Sequence, residues 1–213
     1  MSFLLFLLGV ALAEVPQTCP DTSLSPAVFT QATGAPAQVR LLPPTTCERG
    51  EVKFPCTPVE IRAKTLACIS EPKRIEKSLI GYACKIGEGE GESEIDPHLS
   101  RFSWNKEEKT LEAKNLDLAD WHALSNPAFC GARIAYWALV KVPDQEAFDV
   151  SIVVYDLDLK RELIRKKIDK ATLNANDRKS LQQPKWASDA KSVEFVGAQE
   201  GTEIKSVKIE MGD

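Results

Sequence analysis

Three features of this 213-residue sequence predict an all-β fold. Short runs rich in Val, Ile, Tyr, Phe and Trp, broken by charged and turn residues, favour strands over helices. A motif spanning 126–159 has an echo that begins 57 residues after Pro127, at Pro184, which points to repeated sheet units. Six cysteines, five of them before residue 85, point to disulfide cross-links in an exported chain.

The chain reads in three parts. Residues 1–13, MSFLLFLLGVALA, form an apolar run ending in Ala11-Leu12-Ala13, the pattern of a signal peptide with an A-x-A cleavage site. The run falls short of the ~20 apolar residues that span a bilayer, so stable membrane insertion is not expected. Residues 14–46 carry Pro16, Pro20, Pro26, Pro36, Pro43 and Pro44. Proline at that density removes backbone donors, which predicts an extended arm. Val39-Arg40-Leu41-Leu42 is expected to dock as an edge strand, and Cys19 to tether the arm to the body. Residues 47–213 form the β-rich domain.

Within that domain the candidate strands are 60–69, 78–86, 102–104, 110–113, 133–142, 148–157, 163–168, 192–196 and 204–211. Phe148, Val150, Ile152 and Val154 alternate with Asp149 and Ser151, then turn apolar on both faces, as in a strand entering a buried sheet. Val207, Ile209 and Met211 alternate with Lys208 and Glu210, which predicts one solvent-facing side. Short helices are read at 116–124 and 171–183. The glycine–acid run 87–96 reads as a hairpin tip rather than a calcium loop, because its carboxylates lack the D-x-[DN]-x-[DN]-G order.

In the echo, Pro127-Ala128-Phe129 answers Pro184-Lys185-Trp186, and each is followed by a short turn, a base and a strand. The later copy resembles the TolB-like β-propeller repeat, whose blades read P-x-W-S-P-D-G-K-x-I-x-F and then I-Y-x-x-D-L. Trp186, Asp189, Lys191, Val193 and Phe195 match the first part, and Tyr155, Asp156 and Leu157 resemble the second. Ala190 stands where the repeat has its turn glycine, Ala187 replaces the serine and Ser188 the proline. The resemblance implies propeller-like blades, in a partial or small ring or an open stack, that present loops to partners. From residue 47 onward there is room for about four blades of ~40 residues. A disulfide-stapled β-sandwich is the alternative.

The formal net charge of −4 argues against nucleic acid, which needs a concentrated basic face. The basic run 160–170 also contains Glu162 and Asp169 and reads as a solvated strand, with anion binding as the alternative. Cys19, Cys47, Cys56, Cys68, Cys84 and Cys130 are all disulfide candidates, mainly among those of the N-terminal half, and their pairing is open. Their spacing suits no structural zinc site. No catalytic set emerges. His98 and His122 are the only histidines, no G-x-S-x-G is present, and the Asp156/Asp158 pair reads as a turn opener. No cofactor or metal is expected. Trp104, Trp137 and Trp186 read as core, whereas Trp121 beside His122 is the candidate ligand surface. The expected function is a non-catalytic binding or scaffold protein of the periplasm or extracellular space, acting on a protein or envelope component. The alternative is a small carbohydrate-binding β-sandwich.

Overall fold

The computed structural model describes residues 18–20, 25–49, 52–61, 64–75, 78–86, 93–122, 125–145, 147–174, 181–197 and 206–212. The signal-type run and the centre of the glycine–acid run lie outside them.

Among the described residues, one helix and fourteen strands follow the chain order α1 (Pro26–Thr33), β1 (Arg40–Leu41), β2 (Thr45–Arg49), β3 (Val52–Ile61), β4 (Lys64–Ile75), β5 (Ser78–Ile86), β6 (Ser93–Asn105), β7 (Thr110–Asn115), β8 (Ala128–Cys130), β9 (Arg133–Lys141), β10 (Ala147–Asp156), β11 (Arg161–Asn174), β12 (Lys185–Trp186), β13 (Ser192–Phe195) and β14 (Val207–Glu210). They form three antiparallel sheets. A seven-stranded sheet runs β1-β3-β4-β5-β6-β7 with β2 also on β3, a four-stranded sheet runs β11-β10-β9-β8, and a three-stranded sheet runs β12-β13-β14. The protein is therefore all-β, and the described strands close no propeller ring.

The sheets stack face to face. On β9, Ala135, Trp137 and Leu139 join Val150, Ile152 and Val154 of β10 against Val193 and Phe195 of the last sheet. The alternate residues Ile134, Tyr136 and Ala138 pack with Val153 against Ile75, Ile80 and Leu99 of the large sheet. Side chains alternate across a strand, so a continuous apolar run is what a strand buried on both faces requires. The middle sheet is that layer, which explains the apolar runs 134–142 and 150–157.

The far side of the large sheet is covered by the arm. Phe29 of α1, with Ala35 and Val39, packs on Val59, Ile69, Leu79 and Phe102. The helix is a departure from the extended arm expected there. Ser25 caps it, its Oγ accepting from Val28 N–H at 3.3 Å, Pro26 opens it, and Gly34 ends it at φ 72°. Proline is at home in the first turn, where its missing N–H costs nothing. Arg40–Leu41 and Thr45–Arg49 lie end to end along the same edge of β3, with Pro43 and Pro44 between them. This is one edge strand interrupted where donors are absent.

Three further differences from the sequence reading are physical. The stretch 60–69 is the end of β3 and the start of β4, two antiparallel strands with no glycine or proline to mark the bend between them. At the start of the helix read at 171–183, residues 171–174 instead extend β11, because Leu173 and Thr172 pair with Phe148 and Asp149, whereas 175–180 lie outside the described residues. At 116–122 the chain turns without forming a helix, held by Trp121 N–H to the Leu118 carbonyl at 3.2 Å and by the Tyr136 hydroxyl donating to the Ala119 carbonyl at 3.0 Å. Gly81 is fixed by close approach: a Cβ there would lie 2.8 Å from Ile69 Cγ2 and 2.9 Å from the Ser70 carbonyl, where β4 bulges.

Candidate functional site

Strands β6 and β7 bring two cations into direct opposition, Arg101 on one and Lys114 on the other. Like charges facing each other across a ladder destabilise it. Arg101 Nε is in addition buried without a hydrogen-bond partner, and a desolvated donor of that kind costs ~1–3 kcal/mol. Both side chains line one wall of a cleft of about 470 Å³ between the large and middle sheets. The opposite wall comes from Tyr155 and Leu157 at the end of β10 and from Lys160 and Arg161 where the chain returns into β11. The return is shaped by Asp156, whose Oδ1 accepts from the backbone N–H groups of Asp158 and Leu159 at 2.9 Å each. Lys160 completes the turn at φ 52°.

The cleft's acids are Asp117 and Glu162. Glu162 is already engaged, because Arg165 donates to its carboxylate at 2.6 and 2.8 Å and to Asp120 at 2.9 Å. The Arg165 bonds hold the Glu162 carboxyl below its usual range against the opposing effect of burial, and the same bonds push Arg165 up. Burial, with Asp117, Asp156 and Glu162 nearby, pushes the Tyr155 hydroxyl up, and Arg101 opposes it. Among the described residues Arg101, Lys114, Lys160 and Arg161 make no ion pair. The cleft thus concentrates cationic charge in a chain whose net charge is −4.

No known family, characterised protein or solved structure matches this chain. What the site can do must come from its own chemistry.

The nearest thing to a catalytic pair is Asp96 with His98, whose ring Nδ1 and backbone N–H each lie 2.8 Å from Asp96 Oδ1. Burial raises the Asp96 carboxyl, yet the bonds from His98 and Asn115 outweigh it and hold it low. Ser100 follows on the same strand, but it is fully buried and its hydroxyl donates to Asn115 Oδ1 at 2.8 Å. A triad needs the serine hydroxyl on the imidazole. Here the hydroxyl is committed elsewhere. No group of three or more His, Cys, Asp or Glu able to hold a metal occurs among the described residues.

Trp121 and His122, the ligand-surface candidates of the sequence, lie outside the lining of the cleft. Trp121 is half-buried between the sheets, its ring centroid 6.5 Å from Tyr82 and 5.4 Å from Tyr136. His122 presents its ring edge-on to Phe148 at 5.1 Å. Trp137 is fully buried, while Trp104 and Trp186 are half-buried beside the cores. Cys19 is bonded to Cys130, so the arm is tethered to the middle sheet. Cys56 is also disulfide-bonded, Cys68 and Cys84 are buried thiols, and the Cys47 side chain lies outside the described set. The Cys19–Cys130 bond therefore reaches out of the N-terminal half. Arg101 and Lys114 escaped the sequence reading because only strand register shows that they face each other. Lys160 and Arg161 were visible as the start of the basic run.

Proposed function

We propose that this chain is an exported, non-catalytic binding protein whose stacked sheets hold a cationic cleft for an acidic segment of a protein partner. The observation that carries the reading is the Arg101–Lys114 opposition. Two like charges opposed across a ladder are a strained arrangement, and a carboxylate entering the cleft that both line would relieve it through charge-assisted hydrogen bonds. Export is supported by the Cys19–Cys130 disulfide and the apolar leader-type run. A scaffold built of TolB-like blades is supported by the two Pro-x-aromatic openings lying side by side, with Trp186 Nε1 donating to the Ala128 carbonyl at 3.2 Å. No described residue set supports catalysis, and the half-buried Trp121 gives the carbohydrate reading no support.

Fluorescence anisotropy with a labelled oligoglutamate peptide, against neutral and oligolysine controls, tests the proposal. Oligoglutamate should bind, weaken with added salt as screening predicts, and lose at least ~10-fold in affinity in Arg101→Gln/Lys114→Gln, the loss of two charge-assisted contacts. Equal binding of all three peptides, or no loss in the double variant, would overturn it.

A further inference from the structure

Cys68 on β4 and Cys84 on β5 are direct partners in the strand register. They are 1% and 5% exposed, and with Cys56 of β3 they make a buried cluster composed entirely of cysteines. Residues directly opposite in an antiparallel ladder have Cα atoms ~4.5–5.5 Å apart. That lies inside the ~4.4–6.8 Å range that a disulfide accepts. The two thiols already share a hydrogen bond that favours the thiolate of Cys84 over that of Cys68. A backbone bond from Ser70 lowers Cys84 further.

We propose that Cys68 and Cys84 form a cross-strand disulfide, additional to those of Cys19–Cys130 and Cys56, that closes by exchange with a low-molecular-weight disulfide before β5 is packed. The Cys84 thiolate attacks one sulfur of the oxidant, forming a mixed disulfide and releasing one thiolate. Cys68 then gives its proton to solvent and attacks Cys84 Sγ, closing the new bond and expelling the second thiolate. The pair loses two electrons and two protons, and the oxidant is reduced to two thiols. Exchange requires access to the sulfur, so burial confines closure to the folding chain and shields the bond afterwards. In the Cys19–Cys130 bond Cys130 is as buried as Cys84, but Cys19 is only half-buried and leaves its sulfur open to attack.

The test is to refold the full chain in a reduced/oxidised glutathione buffer, then unfold it under acid quench, alkylate and map the peptides without reduction. A peptide pair joined through Cys68 and Cys84 is expected, with neither residue alkylated. In the folded oxidised protein, reductant should open Cys19–Cys130 before Cys68–Cys84. The oxidised protein should also melt about 5–10 °C above one in which this pair alone is reduced, the effect of closing a loop of that length. A Cys68→Ala variant should lose that gain. Full alkylation of Cys68 and Cys84 after oxidative refolding would overturn the proposal, as would pairing of either with a different cysteine.

Discussion

The hairpins β8–β9 and β12–β13 open on the same Pro-x-aromatic motif and solve the same turn in different ways. In the first, Cys130 pairs with Arg133, leaving a two-residue loop with Gly131 at φ 57°. Glycine at the first loop position with positive φ is the signature of a tight hairpin whose twist matches its strands. In the second, Ala187 N–H bonds the Ser192 carbonyl and four residues loop out, with Ala190 at φ 58°. The second loop thus needs the same left-handed residue and fills it with alanine. The strands behind the turns differ as well, since β9 is buried on both faces, whereas β13 exposes Glu194 between buried Val193 and Phe195, and its neighbour β14 alternates half-buried and exposed. The first unit is a middle layer and the second an outer one. Their shared motif specifies a turn and an aromatic anchor, while depth in the stack is set by the strands that follow.

The largest expected effect comes from the contact that joins the two units. Trp137 meets Phe195 edge-on at 5.2 Å and its Nε1 donates to the Gln182 carbonyl at 2.8 Å. Trp137→Ala should destabilise the protein by ~3–5 kcal/mol in urea unfolding, as removal of a fully buried indole does. A loss below ~1 kcal/mol would mean that the middle and last sheets do not share a core.

Next comes the tether at the first turn. The Cys19–Cys130 bond closes a sequence separation of 111 residues, and Cys19 Sγ also lies 3.8 Å from the carbonyl of Ala187, the residue that corresponds to Cys130 in the second copy. The double variant Cys19→Ser/Cys130→Ser should lose ~2–4 kcal/mol, largely through a less constrained unfolded chain. Limited proteolysis should then cut the arm ahead of α1. An unchanged urea midpoint would show that burial of Phe29 alone secures the arm.

Much of this architecture was legible because it lives in local pattern. The stretch from Phe148, apolar on both faces by Val153, announced a strand entering a buried sheet, and the alternation from Val207 to Met211 announced a half-exposed one. What was not legible depends on register or on competition between signals. Ser25, Pro26 and Gly34 are a complete set of helix start and stop signals, yet the density of prolines around them favoured an extended reading. The residues 116–122 have helical spacing but are held open by the Tyr136 hydroxyl, which sits 17 residues away from Ala119 in sequence. The cleft is the strongest case. Arg101 and Lys114 are ordinary surface cations until β6 and β7 are aligned, and nothing in their own neighbourhoods marks them.

The smallest effects test the turns themselves, and they should carry opposite signs. A Cβ at Gly131 would meet nothing within 4 Å, so Gly131→Ala costs only the left-handed backbone, ~1–2 kcal/mol. At Ala190 that cost is already present, and glycine would remove it. Against the gain stand the greater freedom glycine gives the unfolded chain and the loss of a methyl group that is 5% exposed. The gain wins by a small margin, because the backbone term of ~1–2 kcal/mol exceeds the ~0.8 kcal/mol that one buried methyl contributes. Ala190→Gly should therefore raise stability by ~0.5–1 kcal/mol in the same urea measurement. Loss in the first hairpin and gain in the second would establish that both turns need one left-handed residue. Destabilisation in both would mean that packing of the Ala190 methyl, and not the turn, explains why the second copy departs from glycine.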